Sequence, residues 1–154
     1  MALAVIEHIE HPFARGNLTP DGVQWSVEHT TTTDDYEEVE SVSITPPALG
    51  DVLEYEFGLS GAVKSSGASE SVLFKWQARE QGGSWVDLHG EVTYPADASA
   101  YQEYTYSGRF ESVVGLNTVP FQVRLVIKSG GVGGENAIGK TKNSSYVRVI
   151  YAAS

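Results

Sequence analysis

The stretch Val72–Leu88, VLFKWQAREQGGSWVDL, constrains the fold more than any other part of the chain. Its first half alternates apolar and polar side chains, the period of a strand with one face in a core and the other in water. The glycine pair Gly82-Gly83 supplies a tight turn, because glycine tolerates the positive φ of hairpin turns. The stretch therefore predicts a β-hairpin with Trp76 in its buried phase, and it leaves the direction of Trp85 open.

The same two-residue period recurs on both sides of this hairpin, and we find no amphipathic helix. The predicted strands are Val23–Glu28, Glu37–Thr45, Val52–Leu59, Val72–Arg79, Trp85–Leu88 (continued by Glu91–Tyr94), Tyr101–Phe110, Phe121–Lys128 and Ser145–Tyr151. About eight strands with frequent turn signals favour an all-β fold, a single antiparallel β-sandwich of the jelly-roll or immunoglobulin-like kind.

Some details of this pattern are specific enough to be compared with a structure. In the third strand, Leu53 shares the alternation phase of Tyr55, Phe57 and Leu59, which predicts that all four side chains face the core. Two stretches read as connections: 61–69 as a loop or a frayed strand end, and 129–139 as a glycine-rich loop.

The chain divides into an arm, residues 1–22, and a sandwich domain, residues 23–154. Prolines and glycines punctuate the arm. Its apolar side chains are expected either to pack on a neighbouring subunit or to complete the domain's own sheet. The candidate contact residues of the arm are Leu3, Val5, Ile6, Ile9 and Phe13.

The charge of the chain is unevenly distributed. Residues 1–70 hold thirteen acidic and two basic side chains, whereas residues 71–154 hold seven and eight, and the net charge is −10. An acidic surface repels phosphate backbones, which argues against nucleic acid as a partner. The split also suggests head-to-tail association, in which the acidic half meets basic groups of a neighbour: Arg124, Lys140, Lys142 and Arg148. The alternative is that acidity only maintains solubility.

The letters of a phosphate-binding loop, G-x-x-x-x-G-K-[ST], occur at Gly134–Thr141. Such a loop needs a helix directly after it, because the helix N-terminus holds the phosphate. The residues after Thr141 lead instead into an apolar alternation typical of a strand. The match therefore does not predict nucleotide binding.

The sequence predicts no cofactor, no metal and no enzyme. Cysteine is absent, so thiolate ligands and cysteine nucleophiles are excluded. His8 and His11 are too few for a zinc site, and Glu54 and Glu56 share the water-facing side of a strand rather than a cleft. The N-terminus has no signal-peptide pattern and no stretch is long enough to span a membrane, so we expect a protein folded in the cytoplasm where it is made.

Aromatic side chains offer one alternative function. Trp25 and Trp76 match buried strand positions, whereas Trp85 and Tyr101 are candidates for exposed rings on which a sugar could stack. The alternative to a structural role is therefore a carbohydrate-binding module.

The hairpin also carries a resemblance. FKWQAR followed by GGSWVDL (Phe74–Arg79 and Gly82–Leu88) resembles a hairpin of immunoglobulin-like and fibronectin-type sandwiches, which are common in the virion proteins of tailed bacteriophages. The resemblance implies a virion component, either a capsid decoration or a tail protein, made in the host cytoplasm. The function we expect is a non-enzymatic structural protein whose partners are protein subunits, either copies of itself or lattice proteins of the virion.

Overall fold

A computed structural model describes residues 5–13, 20, 22–33, 35–65, 71–94, 100–130 and 137–152, with the backbone alone for Val5 and Ile6. These ranges form strands and no helix. The eleven strands are β1 Val5–Glu10, β2 His29–Thr31, β3 Glu37–Ile44, β4 Asp51–Ser65, β5 Val72–Glu80, β6 Val86–Asp87, β7 Val92–Tyr94, β8 Gln102–Glu111, β9 Phe121–Ser129, β10 Ala137–Thr141 and β11 Tyr146–Ala152.

The strands form two antiparallel sheets. In the first sheet β8 pairs with one side of β4, and β10 and β11 follow one another along its other side, with β2 and β1 beyond them. In the second sheet the order is β3, β9, β5, and the short strands β6 and β7 each pair with a different part of β5. Because both sheets bury one face against the other, the predicted all-β sandwich is confirmed.

The core lies between the two inner faces and is rich in aromatic rings. Trp76 is fully buried, and the rings of Tyr55 and Phe121 stack across the two sheets with centroids 3.9 Å apart. The predicted alternation of β5, β9 and β11 is confirmed, since the expected apolar side chains of each strand are buried. The turn after β5 contains Gly82 at φ 93°, so the predicted glycine turn is confirmed as well.

The strand β4 is longer than the sequence indicates. The stretch predicted from Gly61 onward as a loop or a frayed strand end continues the strand to Ser65, and Val63 within it is 1% exposed. A Cβ atom on Gly61 would lie 3.1 Å from the Leu125 side chain and 3.2 Å from the Trp76 ring. The small residues that weaken the strand signal thus allow the second sheet to approach closely.

Leu53 does not face the core, contrary to the alternation. The pairing of β4 with β11 shifts at this point, from Glu54 opposite Ile150 to Val52 opposite Tyr151, so Leu53 is one extra residue in its strand. Such a bulge reverses the phase of the side chains before it. Val52 is therefore buried, and Leu53 is 48% exposed.

The predicted strand 23–28 and the predicted loop 129–139 are both partly wrong. Residues 22–28 run irregularly beside the chain at 141–143, with one isolated bridge from Trp25 to Lys142. Trp25 consequently lies outside the core, and Val27 is 90% exposed. Ala137–Thr141, by contrast, is a strand between β4 and β2.

The described part of the arm belongs to this chain's own sheet. β1 pairs along its whole length with β11. Phe13 is fully buried, with its ring 5.9 Å from that of Trp76 in an edge-to-face contact. The arm thus completes the domain's own sheet over residues 5–10 and adds the Phe13 ring to the core, and Leu3 lies outside the described residues.

Candidate functional site

Four basic side chains gather on the outer face of the second sheet. Lys75 and Arg79 extend from β5, and Arg124 and Lys128 extend from the neighbouring β9. They project outward because each alternates with side chains that fill the core. Together with the rings of Trp85 and Tyr36, which cover them, these residues are called the cation–aromatic face below.

Trp85 covers two of these cations. The Cζ atoms of Arg79 and Arg124 lie 4.3 and 4.2 Å from the centroid of its ring, within the range of cation–π attraction. Trp85 is partly exposed. The side chain whose direction the sequence leaves open is therefore on the surface of the sheet, packed on guanidinium groups, and not in the core with Trp76.

Tyr36 covers the other two cations. The Nζ atoms of Lys75 and Lys128 lie 4.5 and 4.7 Å from its ring centroid, and its hydroxyl donates to the Glu91 carboxylate. Partial burial, together with this carboxylate, raises the pKa of Tyr36, while the same hydrogen bond lowers the pKa of Glu91. The hydroxyl is thus a fixed donor and Glu91 a fixed anion at neutral pH.

Hydrogen bonds tie the remaining polar groups of this face into a network. Gln77 accepts from Nε of Arg124 at 2.8 Å and donates to Asp87 at 2.7 Å, and Lys75 donates to Asp87 at 3.0 Å. These contacts, led by the Gln77 hydrogen bond, lower the pKa of Asp87. Arg124 also lies 3.4 Å from Glu38. The face is therefore a preorganised arrangement of charges and rings.

Tyr101 lies on the outer face of the other sheet. Its ring is 4.0 Å from Nζ of Lys140 and 4.6 Å from Nζ of Lys64, and Lys140 is also 4.7 Å from the ring of Trp25. Burial, with the Glu28 carboxylate nearby, raises the pKa of Tyr101. Trp85 and Tyr101, the two candidate sugar-stacking rings, are therefore on opposite surfaces of the sandwich and cannot form one platform.

The phosphate-loop letters are also accounted for. Gly139, Lys140 and Thr141 lie inside β10 and pair with β4, and Gly139 also pairs with His29 of β2. Thr141 is fully buried and donates to the Glu40 carboxylate. A strand rather than a helix follows, so the part of the motif that the structure describes is not built around a phosphate.

The basic residues expected to meet a neighbour have partners within this chain. Arg148 lies 3.5 Å from Glu56 and 3.9 Å from Glu7. Lys142 lies 2.8 Å from Glu103, whose pKa it lowers. A contact of these cations with another subunit stays a prediction, as does one through the arm, of which Ile9 is 48% exposed.

A surface that the sequence analysis misses lies at one end of the sandwich, called the apolar end below. Of the nine large apolar side chains that are exposed in the described ranges, six belong to the turns and strand ends found there. They are Leu49, Leu53, Val86, Val113, Val114 and Leu116. Three separate stretches of the chain contribute (49–53, 86 and 113–116), so no periodicity in the sequence reveals the cluster. The adjacent pair Val113-Val114, in a stretch without alternation, is its only local signal.

The apolar end also contains a depression of about 570 Å³. It is lined by the turn 81–84, Val86, Phe110, Val113 and Val114. Backbone hydrogen bonds hold the neighbouring segments together here, from Ser112 to Leu53 and from Val52 to Gly115. Val113 and Val114 are thus displayed on an anchored loop beside a concave surface.

Glu80 anchors this loop from inside the sandwich. It is 5% exposed and accepts from the backbone N–H groups of Val113 at 2.6 Å and Val114 at 3.2 Å, and from the Ser112 hydroxyl at 2.8 Å. Buried carboxylates are normally compensated in this way. An acidic residue at the last inward position of β5 therefore determines where the exposed valines stand.

Within the described ranges, no three metal-ligating side chains come together. His8 contacts Glu10, and His11 contacts the Ser145 carbonyl. The described residues also include no helix that is long and apolar enough to cross a membrane.

No protein-family model matches the chain, and no curated protein matches it. Among solved structures, a chain of infectious bursal disease virus, Gt strain, is similar over 92% of this chain at 10% identity, with a TM-score of 0.48. The corresponding chain of the Gx strain is similar over 92% at 10% identity, with a TM-score of 0.45. This chain spans 38% and 37% of the length of those two virus chains.

Proposed function

We propose that this protein is a non-enzymatic structural component that assembles with other protein subunits, and that the assembly is a virus particle in which it serves as a decoration or tail protein. The observation that carries the proposal is the apolar end. Contiguous exposed apolar patches are uncommon on monomeric proteins and mark sites of association. Three of its six exposed apolar side chains, Val86, Val113 and Val114, line a depression into which a partner's side chain can fit.

The cation–aromatic face supports a second contact of the same kind. Tryptophan, tyrosine and arginine dominate the energetically important positions of protein interfaces. Trp85, Tyr36, Arg79 and Arg124 are already held in one geometry by stacking and hydrogen bonds. Little side-chain entropy would then be lost when a partner binds.

The virion role rests on the resemblance of the hairpin 72–88 to hairpins of bacteriophage sandwiches. The gene's neighbourhood tests it directly. Genes for capsid, portal or tail proteins on either side of this one are expected, whereas flanking genes for the enzymes of one metabolic route would contradict the proposal.

Ile9 is the one large apolar side chain in the described part of the arm that is exposed, so it is the one we expect to contact another subunit. Deleting residues 1–22 would remove β1 and the buried Phe13 ring, so a loss of assembly could reflect loss of the fold. Ile9→Ser is the cleaner variant, because the side chain is 48% exposed on the outer face of β1. Unchanged assembly by this variant would remove the arm from the proposal.

The apolar end is tested by a double substitution, Val113→Ser with Leu116→Ser. Burying each of these side chains in a contact is worth about 1.5–3 kcal/mol, so we expect the double variant to weaken association at least about tenfold in sedimentation velocity. Val27→Ser is the matched control, because Val27 is 90% exposed but lies outside the apolar end. A wild-type chain that stays monomeric at every concentration, or equal association by the double variant, would contradict the role of this surface.

A carbohydrate-binding module is the second candidate, favoured by the partly exposed Trp85 ring on the outer face of the second sheet. Sugars stack on such rings. A glycan array comparing the wild type with Trp85→Ala tests it, with Tyr101→Ala as the control on the opposite surface. Absence of any bound glycan, or equal binding by Trp85→Ala, would exclude this candidate.

A further inference from the structure

The strand β8 is an open edge of the first sheet. It runs for ten residues, Gln102–Glu111, and pairs on one side with β4 without any register shift. Among the described residues, no other strand pairs with it. An edge of this kind presents unpaired backbone N–H and C=O groups and can accept a further strand.

Several of the usual protections of an edge are missing from β8. Sheet edges are blunted by proline, by bulges, by short strands or by charged side chains that point inward. β8 contains no proline and no bulge, and its inward side chains include Tyr104, Tyr106 and Phe110. The outward side chains, including Glu103, Thr105, Ser107 and Arg109, are exposed.

We propose that a second copy of this chain pairs with this edge, β8 against β8 in antiparallel fashion, about a two-fold axis at Tyr106. In this register Glu103 of each copy lies opposite Arg109 of the other, and Thr105 lies opposite Ser107. Opposite charges and paired hydroxyl residues at directly opposed positions both stabilise antiparallel pairs. The result is one continuous sheet across two sandwiches, with the isologous geometry of a two-fold dimer.

The sequence of β8 selects this register over its neighbours. Directly opposed residues point to the same face, so only shifts by an even number of residues keep the tyrosines on the core side. Moving the axis to Thr105 places Glu103 opposite Ser107, and moving it to Ser107 places Glu103 opposite Glu111. Both moves lose the two ion pairs, and the second introduces like charges.

The charged groups are available for this contact. Arg109 is exposed, and no carboxylate in the described part of the chain forms an ion pair with it. The contacts of Glu103 with Lys142 and Ser60 both use Oε1, and no described residue hydrogen-bonds its Oε2. On the inner side, Tyr106 already donates to the Leu88 carbonyl of its own chain. The dimer is therefore made by the backbone and by the outward side chains.

Two single-cysteine variants test the register, since the chain has no cysteine of its own. Thr105→Cys and Ser107→Cys are both exposed positions, and circular dichroism checks that each variant folds. Under mild oxidation, a mixture of the two variants should give a disulfide-linked dimer, because residue 105 of one copy faces residue 107 of the other. Each variant alone is the matched control and should stay uncrosslinked. No crosslinked dimer in the mixture, or equal amounts in the single-variant samples, overturns the proposal.

Charge reversal tests the ion pairs. Arg109→Glu places Glu opposite Glu103 twice per dimer, and we expect about a tenfold weaker dimer. The double variant Glu103→Arg with Arg109→Glu restores both pairs and should recover dimer formation; failure to recover it contradicts the register.

The inference rests on the proposed function and deepens it, since it names one partner as a second copy of this chain. The test of the apolar end is separate, because Val113→Ser with Leu116→Ser leaves β8 intact. If residues 105 and 107 do not crosslink but the double variant still weakens association, the β8 dimer is refuted and the role of the apolar end is retained.

Discussion

At the scale of single residues, charged side chains next to the core determine which groups the two candidate surfaces present. Trp85 is held on the outside of its sheet by Arg79 and Arg124, and a hydrophobic scale alone would have put it inside. Glu80 does the reverse, because its carboxylate is buried in order to hold a loop. The two arginines hold the Trp85 ring in the cation–aromatic face, and Glu80 holds the valines of the apolar end in place.

Glu80 leads to a prediction about the apolar end. Glu80→Ala removes the acceptor of two backbone N–H groups and one hydroxyl, and a buried donor left without a partner costs about 1–3 kcal/mol. We expect a lower free energy of unfolding in chemical denaturation and faster hydrogen exchange at the amides of Val113 and Val114. Glu80→Gln, which keeps an acceptor oxygen, is the control and should lose less. Equal exchange at both amides in the wild type and Glu80→Ala would show that the loop is held by other contacts.

At the scale of elements, the strands that the sequence predicts are those whose alternation is complete. β5, β9 and β11 follow from apolar periodicity alone. β10 and the second half of β4 are missed because Gly61, Ala62 and Gly139 lack the branched side chains that mark a strand. Leu53 is misplaced for another reason, since a bulge depends on the pairing partner and leaves no trace in the strand that contains it. The apolar end, built from three separate stretches of the chain, depends on the tertiary fold in the same way.

The close approach at Gly61 gives a prediction for β4. Gly61→Ala would place a Cβ 3.1 Å from both Leu125 and the Lys140 carbonyl oxygen, and overpacking of this kind costs about 1–3 kcal/mol. Gly90→Ala is the control, because nothing lies within 4 Å of its added Cβ, and its effect should stay within about 0.5 kcal/mol. Thermal unfolding of both variants measures the difference. A Gly61→Ala variant with the same unfolding temperature as the wild type would contradict the prediction, because it would mean that the two sheets accommodate the added methyl group without loss of stability.

At the scale of the whole molecule, the fold places strands of the acidic half, residues 1–70, beside strands of the half that contains most of the basic side chains. β3 pairs with β9, and β4 pairs with β11, so strands of the acidic half lie beside strands that contain arginines. Arg124 meets Glu38, and Arg148 meets Glu56. A charge split that suggests head-to-tail association in the sequence is thus partly balanced within one chain. The net charge of −10 that remains favours contacts made by apolar side chains or by a backbone edge over contacts between like-charged surfaces.

The network on the second sheet predicts how the stability of the whole molecule depends on pH. Gln77 and Lys75 hold the pKa of Asp87 below its ordinary value of 3.8, so the carboxylate contributes stability that is complete above pH 3.8 and is lost as the pH falls through the lower value of the folded state. Asp87→Asn should therefore be less stable than the wild type near neutral pH, by no more than about 1 kcal/mol because the pair is partly exposed and screened. The difference should shrink as the solution is acidified below pH 3.8.

A double-mutant cycle with Lys75→Met, followed by denaturant unfolding at neutral and acidic pH, isolates the charge interaction between the two residues. The coupling between Asp87→Asn and Lys75→Met should be present at neutral pH and absent in acid, since protonation of Asp87 removes the charge on which it depends. A coupling that is the same at both pH values would mean that the Asp87 carboxyl acts through its hydrogen bonds alone. In that case the cation–aromatic face would be held together by its amide and ring contacts, and its geometry would be insensitive to acid.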